Sequence, residues 1–476
     1  MTRRKTLAIA CLTLAATYGA AAPGAQAQPV VAAPYRAKLS IETALPALPG
    51  HPTQMAWGPR ARLYVISTNS GITSYRYNWI TGKLTSPVQA LPSANGLGLA
   101  FHGGDLYYSS MDGSLWKAND ANGNGLFGET GLGELKVALV TGIPIGDHGV
   151  DNIQIAGNTL YVGIGTRTIN GQSGPLSSGA LDDFGNQGFF SGGPGNTWGD
   201  SSYNGTIAWI KDLGQVVNAT NSANAFNTVP ANISQALIQD DSGPVTKTDA
   251  GKLVVHSAGT RNPFGLALDA AGQLFFTVNY NRAKTNGDGT TVQAHPKDVV
   301  GPDLSMEVSD QLFRAVPGAD YGFANVNWRG KSPFLSLNAD GPNRAHSITF
   351  DNLANPGPYV LHNPAQPVGL GPNASADGAS FFYAAGLPDD LAGNLFIVRF
   401  NDEVTESSPG SRTLRYADLV AVDVQTGATK RVASQFSSPL AVLSDGLGRL
   451  LVADFGLTSN PGGNGAIYTL KVKQTR

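Results

Sequence analysis

The sequence predicts an all-β fold, a six-bladed β-propeller, on three observations. One phrase recurs six times along the chain: an alternating strand, a turn of Gly, Asp or Asn, and a second strand of the Leu-Tyr-Val type. At 476 residues the chain is longer than one ordinary hydrophobic core can hold, unless it forms a repeat array or a large β structure. Its 59 glycines and 29 prolines suit a chain of many turns.

The copies run in order. The first three are PTQMAWGPRARLYVIST (52–68), GLGLAFHGGDLYYSS (96–110) and VDNIQIAGNTLYVGIG (150–165). The last three are PFGLALDAAGQLFFTVN (263–279), DGASFFYAAGLPDDLAGNLFIVRF (377–400) and PLAVLSDGLGRLLVADF (439–455). One such hairpin cannot bury both faces, so the copies must pack on each other, and radial packing of four-stranded blades achieves this. A pair of β-sandwiches would leave the recurring turn unexplained. Further blade strands are expected at GITSYRYN (71–78), GSLWKAN (113–119) and GAIYTLKV (465–472), the last of them closing the ring. SQALIQ (234–239) reads as one short helix. The unequal insertions at 166–255 and 280–376 are long loops on a rigid scaffold, where substrate specificity is expected to be built.

Charged residues make up 14% of the chain and the formal net charge is −2. That balance gives no electrostatic footprint for nucleic acid or an anionic membrane as partner. Arg3-Arg4-Lys5, the apolar run Leu7–Ala16 and the small-residue site Ala25-Gln26-Ala27 read as a signal peptide over 1–27, leaving 28–476 as a single propeller domain. Thr2-Arg3-Arg4 also points towards the twin-arginine route. The only cysteine, Cys11, lies in this leader, so the mature chain is expected to hold no disulfide and no thiolate metal site. No later apolar stretch reaches membrane-spanning length, and a secreted or periplasmic protein is expected.

HGVDN (148–152) introduces the third copy as TRNPFG (260–265) introduces the fourth. His148 and Arg261 therefore stand at equivalent entrances to successive innermost strands, facing the channel at one end. On residue type alone each also has a plain structural reading, a hydrogen-bonded histidine and a blade-to-blade strut.

Three stretches, HGVDNIQIAGNTLYVGIG, GTRNPFGLALDAAGQLFFT and VVGPDLSMEVSDQLFRAVPGADYGFANVNWRG (299–330), resemble the soluble glucose/sorbosone dehydrogenases. Members of that family are six-bladed propellers that use pyrroloquinoline quinone (PQQ) with calcium. The resemblance implies oxidation of a small-molecule sugar, polyol or aldehyde, with an external electron acceptor. His148 matches the family's base, which must be neutral near the working pH to take the substrate's hydroxyl proton. Arg261 and Asn262 match residues that hold the quinone's carboxylates, a task suited to a guanidinium fork. Gly301 and Pro302 match the positions whose carbonyls hold calcium, an ion that prefers oxygen ligands. Tyr321-Gly322-Phe323 would form a wall of the cleft.

The chain departs from the family at several points. Arg399 replaces a lysine and is expected to keep its charge at the cofactor. Ser438 and Leu440 stand where the family shows arginines, and Thr166 stands in place of an acid that orients the base. Asp147 and Asp151 are the remaining candidates for that orienting role.

NDANGNGLFGE (119–129) resembles the first half of a calcium loop, with Asp120, Asn122 and Asn124 as ligands and Gly125 at the sharp turn. Position twelve of such a loop is Gly131 and not glutamate, and a hydrated turn fits the same letters. The chain shows no Gly-rich phosphate loop and no Gly-x-Ser-x-Gly elbow, so nucleotides, NAD and serine hydrolysis find no support. Two other functions stay open. One is a calcium-dependent lactonase using Asp151-Asn152 and Asp377 at the axis, and the other is a noncatalytic propeller that binds glycans or proteins.

Overall fold

The computed structural model describes residues 28–131, 133–140, 148–166, 205–210, 253–279, 309–317, 368–372, 374–400, 417–456 and 465–473, with a few single residues and short strand pairs besides. Six antiparallel sheets of four or five strands form the blades. The first blade is His51–Gly58, Arg62–Thr68, Gly71–Tyr77 and Leu84–Leu91. The second is Leu99–His102, Asp105–Ser110, Ser114–Ala118 and Lys136–Val140. The third is Val150–Ala156, Thr159–Ile164, Thr206–Ile210 and Val254–Ala258. The fourth is Leu266–Leu268, Leu274–Val278, Ser309–Arg314 and Val368–Pro372. The fifth is Ala376–Phe381, Leu395–Arg399, Asp418–Val422 and Thr429–Ser434, extended by Val30–Val31. The sixth is Pro439–Ser444, Arg449–Asp454 and Ala466–Val472, with Leu39–Leu45 outermost.

All six repeated phrases are thus the inner two strands of a blade. The ring closes because the innermost strand of each blade touches those of its neighbours, from Ala376–Phe381 onto Pro439–Ser444 and from there back onto His51–Gly58. The strand at 466–472, expected from sequence to close the ring, does so with a partner. It is the third strand of the sixth blade, and the N-terminal strand Leu39–Leu45 completes that blade, paired from Leu39↔Val472 to Leu45↔Ile467. Joining the two ends of the chain in one sheet removes the exposed edge that a last, three-stranded blade would present. Deletion of residues 28–45 is therefore expected to lower the melting temperature and promote association through the bared edge of Ala466–Val472, measured by calorimetry and light scattering. The helix expected at 234–239 lies mostly outside the described residues.

The apolar cores sit between blades. Met55, Leu63 and Val65 of the first blade pack on Ala441, Leu451 and Ile467 of the sixth, while Ala56, Tyr64 and Ile66 pack on Leu99, Leu106 and Tyr108 of the second. Each second strand is therefore apolar on both faces, as Leu-Tyr-Val runs predict.

Along the axis the innermost strands share one irregularity. The ladder slips between Pro52 and Gln54, Val150 and Ile153, Ala376 and Ala379, and Pro439 and Ala441. Such a bulge leaves a residue unpaired and re-aims its side chain. The residues so released are Thr53, Asp151, Asp377 and Leu440, and Leu97 and Phe264 hold the same place in the second and fourth blades. All six are buried. Leu97, Phe264 and Leu440, from alternate blades, pack into one apolar cluster with Phe455. Thr53, Asp151 and Asp377 occupy the other three places.

Candidate functional site

The site lies where the third and fourth blades begin, at the end of the channel from which the innermost strands start. Backbone hydrogen bonds place its parts. The His148 amide donates to the Thr166 carbonyl at 2.9 Å, and the Thr166 amide donates to the Arg261 carbonyl at 2.8 Å. One residue, Thr166, thus ties the entrance of the third blade to that of the fourth. Gly165 lets the two side chains approach, since a Cβ there would sit 2.3 Å from the His148 Cβ and 2.8 Å from Asn262 Oδ1. His148 and Asn262, far apart in sequence, share one small space. Arg261 is buried beside them, 2% exposed, and its Nη1 donates to the Asn279 carbonyl at 3.3 Å.

Burial, and then repulsion from the Arg261 guanidinium, hold the His148 imidazole well below its ordinary pKa. The ring is therefore neutral at physiological pH and able to accept a proton. Thr166 Oγ1 and Asn262 Oδ1 are enclosed with no hydrogen-bond partner among the described residues. Burying such atoms costs free energy unless a ligand or water satisfies them.

Sequence reasoning placed His148, Arg261 and Asn262 together, and the structure does the same. Arg399 is different. Its Nε and Nη2 donate to the two carboxylate oxygens of Asp418 at 2.7 and 2.6 Å, and Nη1 donates to the Leu370 carbonyl at 2.9 Å. Expected at the cofactor, its fork is held inside the fifth blade because a buried Asp418 on the adjacent strand demands it. Leu440 lies in the apolar axial cluster, and Ser438 caps Asp454 through its backbone amide at 2.8 Å. Above them His51 stacks on Phe455, with ring centroids 4.1 Å apart, and Phe400 meets Phe455 edge-on at 5.7 Å. The first, fifth and sixth blades thus present aromatic rings where the third and fourth present polar groups.

Gly301, Pro302 and Asp147 lie outside the described residues, while Asp151 lies in the axial layer. Tyr321 packs on Phe276 and Phe313 in the core of the fourth blade, its hydroxyl donating to the Arg314 carbonyl at 2.6 Å. In the loop at 119–129, the Asn122 and Asn124 amides both donate to Glu129, at 3.3 and 2.6 Å. Asp120 accepts from the Gly125 amide at 2.8 Å and pairs with Arg60 at 3.4 Å. The Arg60 guanidinium thus stands over the turn as a cation of its own. Two features went unmarked in the residue pattern: Asn279, whose carbonyl holds Arg261, and the aromatic filling by Phe400 and Phe455. Both follow the second strand of a blade, and aligning the six phrases at that position would have exposed them.

Fold and site define a class, a six-bladed propeller with a histidine, an arginine and an asparagine brought together where its third and fourth blades begin. No protein-family model matches the chain, and no curated protein matches it. Solved structures do. A calcium structure of a Trichoderma reesei carbohydrate-active enzyme of family AA12 is similar at 14% identity over 94% of this chain and 97% of that one, with a TM-score of 0.56. The holo form of the PQQ domain of a Coprinopsis cinerea pyranose dehydrogenase is similar at 16% identity over 94% and 98%, with a TM-score of 0.54. At these identities the likeness is one of fold, and it spans the propeller from end to end.

Proposed function

We propose that the chain is an exported quinoprotein oxidoreductase that oxidises an aldose or a related sugar, polyol or aldehyde, with PQQ and calcium as cofactors and an external electron acceptor. The observation that supports this most strongly is the convergence of His148, Arg261 and Asn262 on one pocket, with the imidazole held neutral by burial and by the neighbouring guanidinium. Its test is a calorimetric titration of the mature protein with PQQ, with and without calcium. Calcium-dependent binding in the micromolar range, lost in Arg261→Ala, is expected; no binding at high concentration would overturn the proposal.

The residues fit such a cofactor on one side. Arg261 supplies positive charge, Asn262 and Thr166 offer polar atoms that lack partners within the described chain, and Gly165 lets His148 and Asn262 come together. On the other side Phe400 and Phe455 offer only ring faces, and Arg399 is engaged by Asp418. Each charged hydrogen bond missing there is worth about 1.5–3 kcal/mol, so two would weaken binding by roughly two to four orders of magnitude. A quinone held by Arg261 and Asn262 would supply the hydride acceptor for the substrate carbon. His148 takes the hydroxyl proton, and the adjacent Arg261 charge keeps the imidazole unprotonated until that step. Thr166 orients His148 through the backbone, where the family uses a side-chain acid.

A further inference from the structure

Two carboxylates stand in the axial layer beneath the His148 pocket, and the proposed oxidation uses neither. Asp151 is wholly buried, and neither of its carboxylate oxygens has a hydrogen-bond partner among the described residues. Asp377, 1% exposed, accepts from Asn279 Nδ2 at 2.9 Å and from the Ser375 hydroxyl at 3.1 Å. The two acids are near enough that the charge of Asp377 helps to drive up the pKa of Asp151, after burial itself.

The remaining atoms without partners show what is missing. Asn279 is 8% exposed, and its Oδ1 is enclosed without a donor among the described residues, as is Asn262 Oδ1. Among the described residues, Asn152 Nδ2 is the side-chain amide nitrogen there that likewise lacks a partner. The cluster therefore has acceptors in excess of donors. Protonating Asp151 would remove its charge and supply one donor, which with Asn152 Nδ2 still falls short of the three enclosed acceptors, the carboxyl's second oxygen and the two amide oxygens. A cation takes up the Asp151, Asp377 and Asn279 oxygens together and offsets both charges.

We propose that Asp151, Asp377 and the amide oxygen of Asn279 bind a divalent cation of the calcium type in the axial layer, where the bulges of the third and fifth blades deliver the two carboxylates. Among the described residues no group of three or more His, Cys, Asp and Glu side chains is placed to hold a metal. The coordination is completed by neutral oxygens, amide and backbone carbonyl, which favours calcium over zinc. The site has a structural purpose and a link upward. Asn279 donates its amide proton to the Asn262 carbonyl at 3.0 Å and accepts from Arg261 at 3.3 Å, so a cation that holds Asn279 also holds the two residues of the pocket above.

The site needs no quinone, and its test is made without one, so its failure and that of the oxidoreductase proposal are separable. The mature chain, in an Asp120→Asn background that removes the loop at 119–129 as a competing site, is equilibrated with calcium, desalted and assayed for bound metal. Wild-type Asp151 and Asp377 are expected to retain one more calcium per chain than Asp151→Asn or Asp377→Asn. Equal metal content in all three overturns the proposal, as does an Asp151→Asn chain that melts higher than its parent in calcium, because the parent's acids are then simply neutral. Should the variants not fold, the Asp120→Asn chain alone decides. Protons compete for the carboxylates, so calcium must raise its melting temperature more at pH 8 than at pH 5, and the absence of any shift at pH 8 overturns the site.

Discussion

Replacing His148 with alanine is expected to lower turnover of an oxidisable sugar by about 10²- to 10⁴-fold, the span that a positioned general base contributes. Binding of PQQ should change little, because the cationic grip on the cofactor is assigned to Arg261. Stopped-flow reduction of the bound quinone, set beside the calorimetric affinity, reads the two effects separately, and a variant that turns over normally removes His148 as the base. The pH profile adds a second check. Burial and Arg261 lower the pKa of this histidine well below 6.5, so the acid limb of the wild-type rate should fall below pH 6.5 and not at it. The same shift acts on stability with a definite sign. The unfolded chain binds a proton at His148 below about pH 6.5 while the folded chain does not. This residue's contribution is therefore present above that pH and lost as the pH falls towards the folded pKa. His148→Gln should flatten the acid side of the melting curve. Asp151 and Asp377 act in the opposite sense, since burial raises both. In calcium-free protein they favour the fold at low pH and weaken it as pH rises above the ordinary carboxylate range.

The inner half of every blade was legible in the sequence because it is governed by local patterning. Leu63 to Ile66, Leu450 to Ala453 and their equivalents are apolar on both faces, and the turns between hairpin strands carry Gly, Asp or Asn. What sequence could not show depends on contacts between distant segments. Leu39–Leu45 belongs to the sixth blade only because the ring must close, a condition that acts on the whole chain. Arg399 reads as a cofactor cation until Asp418, on the neighbouring strand, is seen to hold it. The pocket was half legible. His148 and Arg261 stood out as charges or titratable groups at strand entrances, whereas Thr166 works through its backbone and so leaves no mark in its residue type. The axial layer follows from a repeat-by-repeat alignment of Thr53, Leu97, Asp151, Phe264, Asp377 and Leu440. Its alternation of polar and apolar becomes meaningful only when six blades bring those positions to one level.

Substitution of Gly265 by alanine should cost at least about 3 kcal/mol, the upper part of the range for forced overpacking. The new Cβ would lie 1.9 Å from the Asp377 carbonyl oxygen and 2.7 Å from Thr277 Oγ1. Neither can step aside cheaply. The carbonyl belongs to the bulge of the fifth blade, and the threonine hydroxyl joins the blades, accepting from the Gly265 amide at 2.9 Å and donating to the same carbonyl at 3.3 Å. Ser109 makes the equivalent stitch between the second and third blades, accepting from Gly98 at 2.7 Å and donating to the Asp151 carbonyl at 2.7 Å. The requirement for glycine therefore belongs to the blade junction and not to a turn. Gly103→Ala is the control: its φ of 59° is costly for alanine, yet no atom lies within 4 Å of the new Cβ. That change should cost only about 1–2 kcal/mol, from the backbone alone. Thermal or urea unfolding of the two variants separates the terms, and equal losses would show that the inter-blade approach at Gly265 relaxes freely. Because the displaced carbonyl is that of Asp377, Gly265→Ala should also weaken calcium retention in the axial layer, whereas Gly103→Ala should not.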